Sequence, residues 1–271
     1  MDAERKMTAT SFFATHPVFS LEEVEKAFSH RRGRTGTVER LRHHLRTGRL
    51  KLVSRGVYAV IPHGVLTELF EPDPFLVAVA VRPDGVFSHH SALELLGTAQ
   101  SVWSTCTLFT GKRRKPFIAK TYVIRFLDLP GPLSSEHRRM TGTRKSERRG
   151  RIIHFTGPER TLVEGFRRPG LVGGLEELVR SATGFPTLDL SLLGEILRCY
   201  DMANLWSAVG WFLERYQSSF QVPESFVEQI FQHRARSPQY LDRGTRGGAF
   251  VQRWNLILPN VLEQRGEQNE P

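Results

Sequence analysis

The sequence lacks the features that mark several large classes of protein. It has only two cysteines, Cys106 and Cys199, far apart in apolar contexts, so we expect free thiols and neither a disulfide framework nor a cysteine-based zinc site. No run of about 20 apolar residues is present, so no membrane-spanning helix is predicted. The first ten residues carry charges of both signs and no apolar secretory core, which indicates a cytoplasmic protein.

Signatures of common enzyme classes are missing as well. There is no Walker-type glycine loop, no GxGxxG after a strand and no HExxH. Ser91 follows two histidines in FSHHSALELLG, but no glycine-flanked nucleophile elbow surrounds it, so we expect a packing role. The acid-acid-lysine cluster of many nucleases is not visible. We therefore expect no catalytic residue, no metal site and no cofactor.

Positive charge, in contrast, is abundant and unevenly placed. The formal net charge is +10, with 12 Lys/Arg against 7 Asp/Glu in residues 1–70 and 13 against 3 in residues 111–151. Concentrated positive charge attracts polyanions, because each phosphate contact releases condensed counterions. The first block coincides with a recognisable motif, which favours nucleic acid as its partner. For the second block, DNA, RNA, a protein partner and a merely solvated surface all stay open.

Helix signals are clear in the first block. Ser20 followed by Glu23 in SLEEVEKAF is typical of a capping box at the start of a helix. In TVERLRHHLR, Val38, Leu41 and Leu45 form one apolar stripe at helical spacing. Gly48 follows as the expected stop.

A β-hairpin is predicted next, because RLKLVSRGVYAVIP holds two β-type runs around a Ser-Arg-Gly turn. The order helix, helix, turn, helix, hairpin predicts a winged helix-turn-helix in residues 1–70. In residues 71–271, helical and strand patterns alternate and then become helical after residue 158. The predicted fold class is α+β, with the winged helix followed by a larger mixed α/β domain whose C-terminal part is helical. Residues 131–150, almost without apolar side chains, are expected to form an exposed loop, and 263–271 a disordered tail.

The third helix and the hairpin carry the candidate DNA contacts. Such a helix enters the major groove with its N-terminal end, where Arg40 could pair bidentately with guanine. Arg55 in the hairpin could reach the backbone or the minor groove. The candidate DNA-binding residues are Arg34 and Thr35 ahead of the helix, Thr37, Arg40 and His44 on its solvent face, and Lys51 and Arg55 in the hairpin. Arg42, Arg46 and Arg49 could add phosphate contacts.

The second basic block supplies a further candidate surface. Its members are Lys112, Arg113, Arg114, Lys115, Arg138, Arg139, Arg144, Lys145, Arg148 and Arg149. Only Phe117 and Tyr122 lie close by in sequence as aromatics that could stack on bases, so sequence-specific binding of single strands has little support.

Several segments, taken in order, are similar to one family. They are GRLKLVSRGVYAVIP in the wing, GVFSHHSALELLG at 85–97, GPERTLVEGFRRP at 157–169 and WNLILP near the end. The third segment matches at Arg160, Thr161 and Leu162, whereas Glu164 stands where an Asp, or an acid one position earlier, is expected. With this order of motifs the chain resembles the AbiEi-type antitoxins, the transcriptional regulators of type IV toxin–antitoxin systems in phage abortive infection.

The resemblance implies two activities. The N-terminal domain would repress its own operon by binding double-stranded DNA at promoter repeats, and the C-terminal domain would counter a nucleotidyltransferase-like toxin without forming a stable complex with it. The residues themselves leave two alternatives open. One is a plain winged-helix transcription factor whose second domain senses a ligand or oligomerises, and the other is a nuclease guided by the winged helix.

Overall fold

A computed structural model describes residues 8–28, 34–112, 114–242, 244 and 247–263. Its first part follows the predicted order, with one additional short strand. The elements are α1 (Ala9–Thr15), β1 (Val18–Ser20), α2 (Leu21–Phe28), α3 (Arg34–Arg46), β2 (Leu50–Ser54) and β3 (Val57–Val60). The strands form a sheet of order β1-β3-β2, so the hairpin is extended by β1 rather than standing alone.

Local chemistry explains where these helices begin and end. The predicted capping box of α2 is present, since the Ser20 N–H donates to Glu23 Oε2 (2.7 Å) and the Glu23 N–H donates to Ser20 Oγ (3.2 Å). After α3, Gly48 takes a φ of +68°. Only glycine adopts this left-handed conformation without cost, so the chain can reverse there into β2.

A small aromatic core holds this first part together. Phe12, Phe13 and Phe19 pack against Leu41 and Tyr58, and all five are buried. The ring centroids of neighbouring aromatic side chains in this core lie 5.2 to 6.1 Å apart, in edge-on and stacked arrangements. Aromatic side chains bury a large area each, which is what a unit of this size needs in order to hold its helices against its sheet.

The second part is built on a six-stranded mixed sheet of order β6-β7-β5-β4-β9-β8. Its elements are α4 (Pro74–Val81), β4 (Val86–Phe87), α5 (His90–Leu96), β5 (Thr105–Thr110), β6 (Phe117–Ile118), β7 (Val123–Asp128), β8 (Thr143–Arg148) and β9 (Arg151–Thr156). The apolar helix α4 is buried on all sides, because it lies between this sheet and the sheet of the first part. Val18, Val57 and Ala59 of the small sheet share its core, so the two parts are packed together.

Helices dominate the remaining chain, as predicted. They are α6 (Pro158–Arg167), α7 (Leu175–Thr183), α8 (Leu190–Tyr200), α9 (Ala203–Arg215), α10 (Gln217–Phe220), α11 (Glu224–Phe231) and α12 (Asn260–Glu263). A small sheet of order β10-β12-β11 completes this part, with β10 (Gln239–Tyr240), β11 (Ala249–Val251) and β12 (Leu256–Leu258). Trp254 is fully buried against α9, where a Cβ on Gly210 would lie 2.1 Å from its ring.

The predicted fold class is confirmed, but the predicted loop at residues 131–150 is wrong in its second half. Thr143–Arg148 form β8, which pairs along its whole length with β9. The strand escaped prediction because it lies at the edge of the sheet with most side chains in solvent, so the alternation of apolar and polar residues is absent. Charged side chains are common on such edges, since they discourage pairing with another chain. The last apolar segment forms two strands, β11 and β12, around a 3-10 turn.

Two further expectations concern the ends of the chain and the membrane. No described helix is both long enough and apolar enough to cross a bilayer. The tail expected to be disordered lies, from residue 264 onward, outside the described residues.

Candidate nucleic-acid interface

The third helix buries a stripe that is rotated slightly from the predicted one. Leu41 is buried in the aromatic core, and Leu45 packs against the same core. Thr37, predicted to face solvent, is only 9% exposed, whereas Val38 is half-buried and lies outside that core. The inward side of α3 therefore runs through Thr37, Leu41 and Leu45, which are spaced four residues apart.

Thr37 and His44 do not belong to the solvent face, contrary to the sequence prediction. The His44 ring packs edge-on against Phe13, with centroids 5.0 Å apart and planes at 87°. Burial and the positive charges of Arg49 and His43 lower the pKa of His44, so its ring is uncharged at neutral pH. The cause is α1, which packs across this side of α3 and supplies the apolar partner. Spacing within α3 alone could not indicate that contact.

The exposed side of α3 is cationic. Arg40, Arg42, His43 and Arg46 are exposed. Within the part of the chain that the structure describes, no carboxylate pairs with these three arginines. The helix contains a single acidic residue, Glu39. Guanidiniums that keep their hydration and lack an internal partner are available to an external anion.

The hairpin contributes Arg55 but not Lys51. Arg55 is exposed at the turn, where Gly56 has a φ of +77°. The Lys51 ammonium instead donates to the carbonyl oxygen of Phe70 and lies 3.6 Å from the Glu71 carboxylate. Lys51 has this internal partner because β2 is an edge strand and the chain folds back beside it, and its predicted DNA contact stays a prediction. We call Arg40, Arg42, His43, Arg46 and Arg55 the helix–wing surface.

Arg34 and Thr35 were predicted to precede the helix, but α3 begins at Arg34. The first turn of a helix tolerates residues of low propensity, since its N–H groups have no partner inside the helix. The side chains of Arg34 and Thr35 lie outside the described residues, so their predicted contacts stay predictions.

The second basic block does not form one surface. Residues 112–115 connect β5 to β6 at one edge of the six-stranded sheet, whereas residues 144–149 belong to β8 and its turn at the opposite edge. The exposed members are Lys112, Arg114, Lys115, Arg138, Arg144, Lys145 and Arg149. Arg113 lies outside the described residues.

Two members of this block are held by internal contacts. Arg148 donates to the Asp73 carboxylate (2.7 Å) and lies over the Phe75 ring at 4.7 Å. Arg139 donates to the carbonyl oxygen of Asp84 (3.1 Å). Their cationic groups stabilise the fold around α4. A count of charges along the sequence cannot distinguish such structural arginines from arginines that bind a ligand.

A buried polar network lies on the other side of the sheet. Arg160 and Glu164, both nearly without exposure, form an ion pair of 2.7 Å within α6, and the Tyr200 hydroxyl donates to the same carboxylate (2.8 Å). Arg160 also donates to the carbonyl oxygens of Arg139 and Thr141. Arg160 and Glu164 entered the sequence analysis only as part of a family motif, and their pairing was not predicted. A signal for it was present, because residues spaced four apart meet on one face of a helix.

His89 lies beside this network in an unusual backbone conformation. Its φ is +55°, its ring is 1% exposed, and its Nε2 has no partner among the described residues. Burial, together with the positive charges of Arg168, Arg167 and Arg160, lowers the pKa of His89 to about 3. A neutral, buried imidazole is the consequence.

Comparisons with known proteins bear on the fold. No family model and no curated protein matches the sequence. A solved structure, that of the RV2827C protein from Mycobacterium tuberculosis, is similar with a TM-score of 0.57 at 17% identity, and the match covers 89% of this chain and 86% of that one. Nearly the whole arrangement of elements is therefore shared with that protein. Among the described residues, no three His, Cys, Asp or Glu side chains converge as a metal site requires.

Proposed function

We propose that this protein is a DNA-binding transcriptional regulator whose winged helix contacts duplex DNA through the helix–wing surface. One observation carries the proposal: four exposed side chains of α3 and the exposed Arg55 at the hairpin turn are cationic or can become so, and none is engaged by a carboxylate among the described residues. A helix of this kind lies in the major groove, and the hairpin turn reaches the neighbouring backbone.

The roles of individual residues follow from their places on α3. Arg40 is exposed and lies in the N-terminal half of the helix, which suits contact with a base edge. Arg42 and Arg46 lie one turn apart on the exposed side and suit successive phosphates. His43 is exposed between them.

The further role is proposed from the resemblance to AbiEi-type antitoxins. In this proposal the protein acts in the cytoplasm, represses its own operon at promoter repeats and counters a nucleotidyltransferase-like toxin without a stable complex. The order of the quoted motifs along the chain, including Arg160, Thr161 and Leu162, supports this proposal. Co-expression with the neighbouring gene tests it: rescue from toxicity is expected, and unrelieved toxicity would overturn the antitoxin role alone.

A binding titration with the promoter of its own operon tests the DNA-binding proposal. Arg40→Ala is expected to weaken binding to the promoter by about 1–3 kcal/mol while hardly changing binding to a shuffled duplex. Arg55→Ala is expected to weaken binding to both duplexes alike, because a backbone contact carries no sequence information. If neither substitution changes either affinity, the helix–wing surface is not the DNA contact.

A further inference from the structure

The turn between β8 and β9 is fastened to the winged helix. The Arg151 guanidinium pairs with the Glu23 carboxylate in the first turn of α2. Gly150 lies so close to the end of α1 that an added Cβ would stand 2.9 Å from the carbonyl oxygen of Thr15. The adjacent Arg148 is bound to Asp73 ahead of α4. These contacts fix the turn relative to α1 and α2 of the winged helix.

The same first turn of α2 touches the wing. The Leu21 N–H donates to the carbonyl oxygen of Gly56 (2.8 Å), and Ser20 pairs with Val57 at the start of β3. Arg55 at the hairpin turn is therefore linked through one turn of α2 to the β8–β9 turn. The hairpin turn, the first turn of α2 and the β8–β9 turn are therefore consecutive neighbours in the structure.

Exposed cations lie on the β8–β9 turn and along β8. Arg149 stands at the tip of the β8–β9 turn and is exposed, as are Arg144 and Lys145 along β8. No ion pair engages these three side chains within the described residues, whereas the neighbouring Arg148 and Arg151 are engaged. The strand contains one acidic residue, Glu147. The internal ion pairs thus anchor the turn and leave its outer cations available.

We propose that Arg149 and Lys145 bind the phosphate backbone of the same duplex that the helix–wing surface engages, so that the larger part of the protein extends the DNA footprint beyond the winged helix. This inference rests on the proposed DNA binding. Duplex DNA is favoured over an acidic peptide because a long, stiff polyanion can reach both these cations and Arg55, whose turn is linked through the first turn of α2 to the β8–β9 turn. An exposed edge strand could also accept a peptide strand, which the experiment below distinguishes.

The test compares two double variants by the salt dependence of binding. Binding constants of the full chain are measured over a series of salt concentrations with a duplex of about 30 base pairs, roughly three helical turns. The first variant is K145Q/R149G. Glycine is chosen at position 149 because its φ is +48°, so the change removes the charge without straining the turn. The matched control, K115Q/K120Q, removes two exposed cations at the opposite edge of the sheet.

The expected result is that the slope of log K against log salt, which is negative, becomes smaller in magnitude by about 2 for K145Q/R149G, since each phosphate contact contributes about 0.9. The control keeps the wild-type slope. If K145Q/R149G also keeps the wild-type slope while R42Q/R46Q reduces the magnitude of the slope, the inference is wrong and the proposed DNA binding stands. Poly-glutamate serves as the acidic peptide in a parallel titration. If K145Q/R149G loses affinity for poly-glutamate while its DNA slope is unchanged, the inference is also wrong, and the edge of the sheet is a protein-docking surface. A wild-type chain that binds no duplex would overturn both proposals.

Discussion

Two groups of cations in this molecule differ in what they contact. On α3 and the hairpin turn, arginines are exposed and no carboxylate engages them among the described residues. Between β8 and α6, arginines are bound to Asp73, Glu23 and Glu164. The first group can exchange water for phosphate. The second has already lost water to internal partners, and its contribution is to stability.

This difference shows that the net charge of a sequence region does not indicate whether its cations are available to a ligand. Residues 111–151 carry the largest excess of positive charge in the sequence, yet part of it is held in the fold and the rest is divided between two edges of a sheet. Residues 1–70 carry a smaller excess, but α3 gathers it on one side. The following predictions test whether the two groups are as distinct as their contacts indicate.

The largest effect on stability is expected at Arg160. Replacing Arg160 with Met leaves the Glu164 carboxylate buried without its partner and removes the bonds to two carbonyl oxygens. Breaking a buried pair on one side costs about 3–5 kcal/mol. Urea unfolding of R160M should show this loss.

The matched control for R160M is R46Q, which removes an exposed arginine from the other group. A surface change of this kind is expected to stay within about 0.5 kcal/mol of wild type. Equal losses in R160M and R46Q would mean that the two groups of cations do not differ in the way described.

A smaller effect, dependent on pH, is expected at His89. Because the folded pKa of about 3 lies below the ordinary value of 6.5, the unfolded chain binds the proton more readily. The contribution of His89 is therefore present above pH 6.5 and is lost as the pH falls towards 3. Between pH 7 and pH 5 the loss amounts to about 2 kcal/mol.

Urea midpoints of wild type and H89N at pH 7 and pH 5 check this contribution. Asparagine tolerates a positive φ and does not titrate, so the other ionisable groups cancel in the comparison. H89N should lose less stability than wild type over this interval. An identical loss in both proteins would show that His89 is not held neutral by burial and the nearby arginines.

The smallest of the three effects is expected at Arg148. Its pair with Asp73 is partly open to solvent, with side-chain exposures of 39% and 9%. Solvent screens such a pair, so R148Q should lower the free energy of unfolding by only about 1 kcal/mol. Asp73 keeps its bond from the Phe75 N–H in the variant, so α4 retains its cap. A loss as large as that of R160M would contradict the ranking.

Sequence patterns predicted the elements whose signals are local. The capping box at Ser20 and the stop at Gly48 depend on neighbouring residues, and the structure has them where expected. The hairpin was predicted for the same reason, although its pairing with β1 was not.

Features that depend on distant contacts were not predictable in this way. The inward side of α3 is set by α1, which covers His44 with Phe13, so the predicted solvent face was misplaced. Lys51 was predicted as a DNA contact because its partners, Phe70 and Glu71, approach it only after the chain folds back. The edge strand β8 has no apolar alternation to reveal it.

The central claim is that the helix–wing surface binds duplex DNA, and its salt dependence is the most direct measurement. Binding constants of wild type, R42Q/R46Q and K115Q/K120Q are compared over a salt series with one duplex. We expect the negative slope of log K against log salt to be smaller in magnitude by about 2 for R42Q/R46Q and unchanged for K115Q/K120Q, although both variants lose the same net charge. Equal slopes for all three proteins, or an equal change of slope in the two variants, would contradict DNA binding by the helix–wing surface.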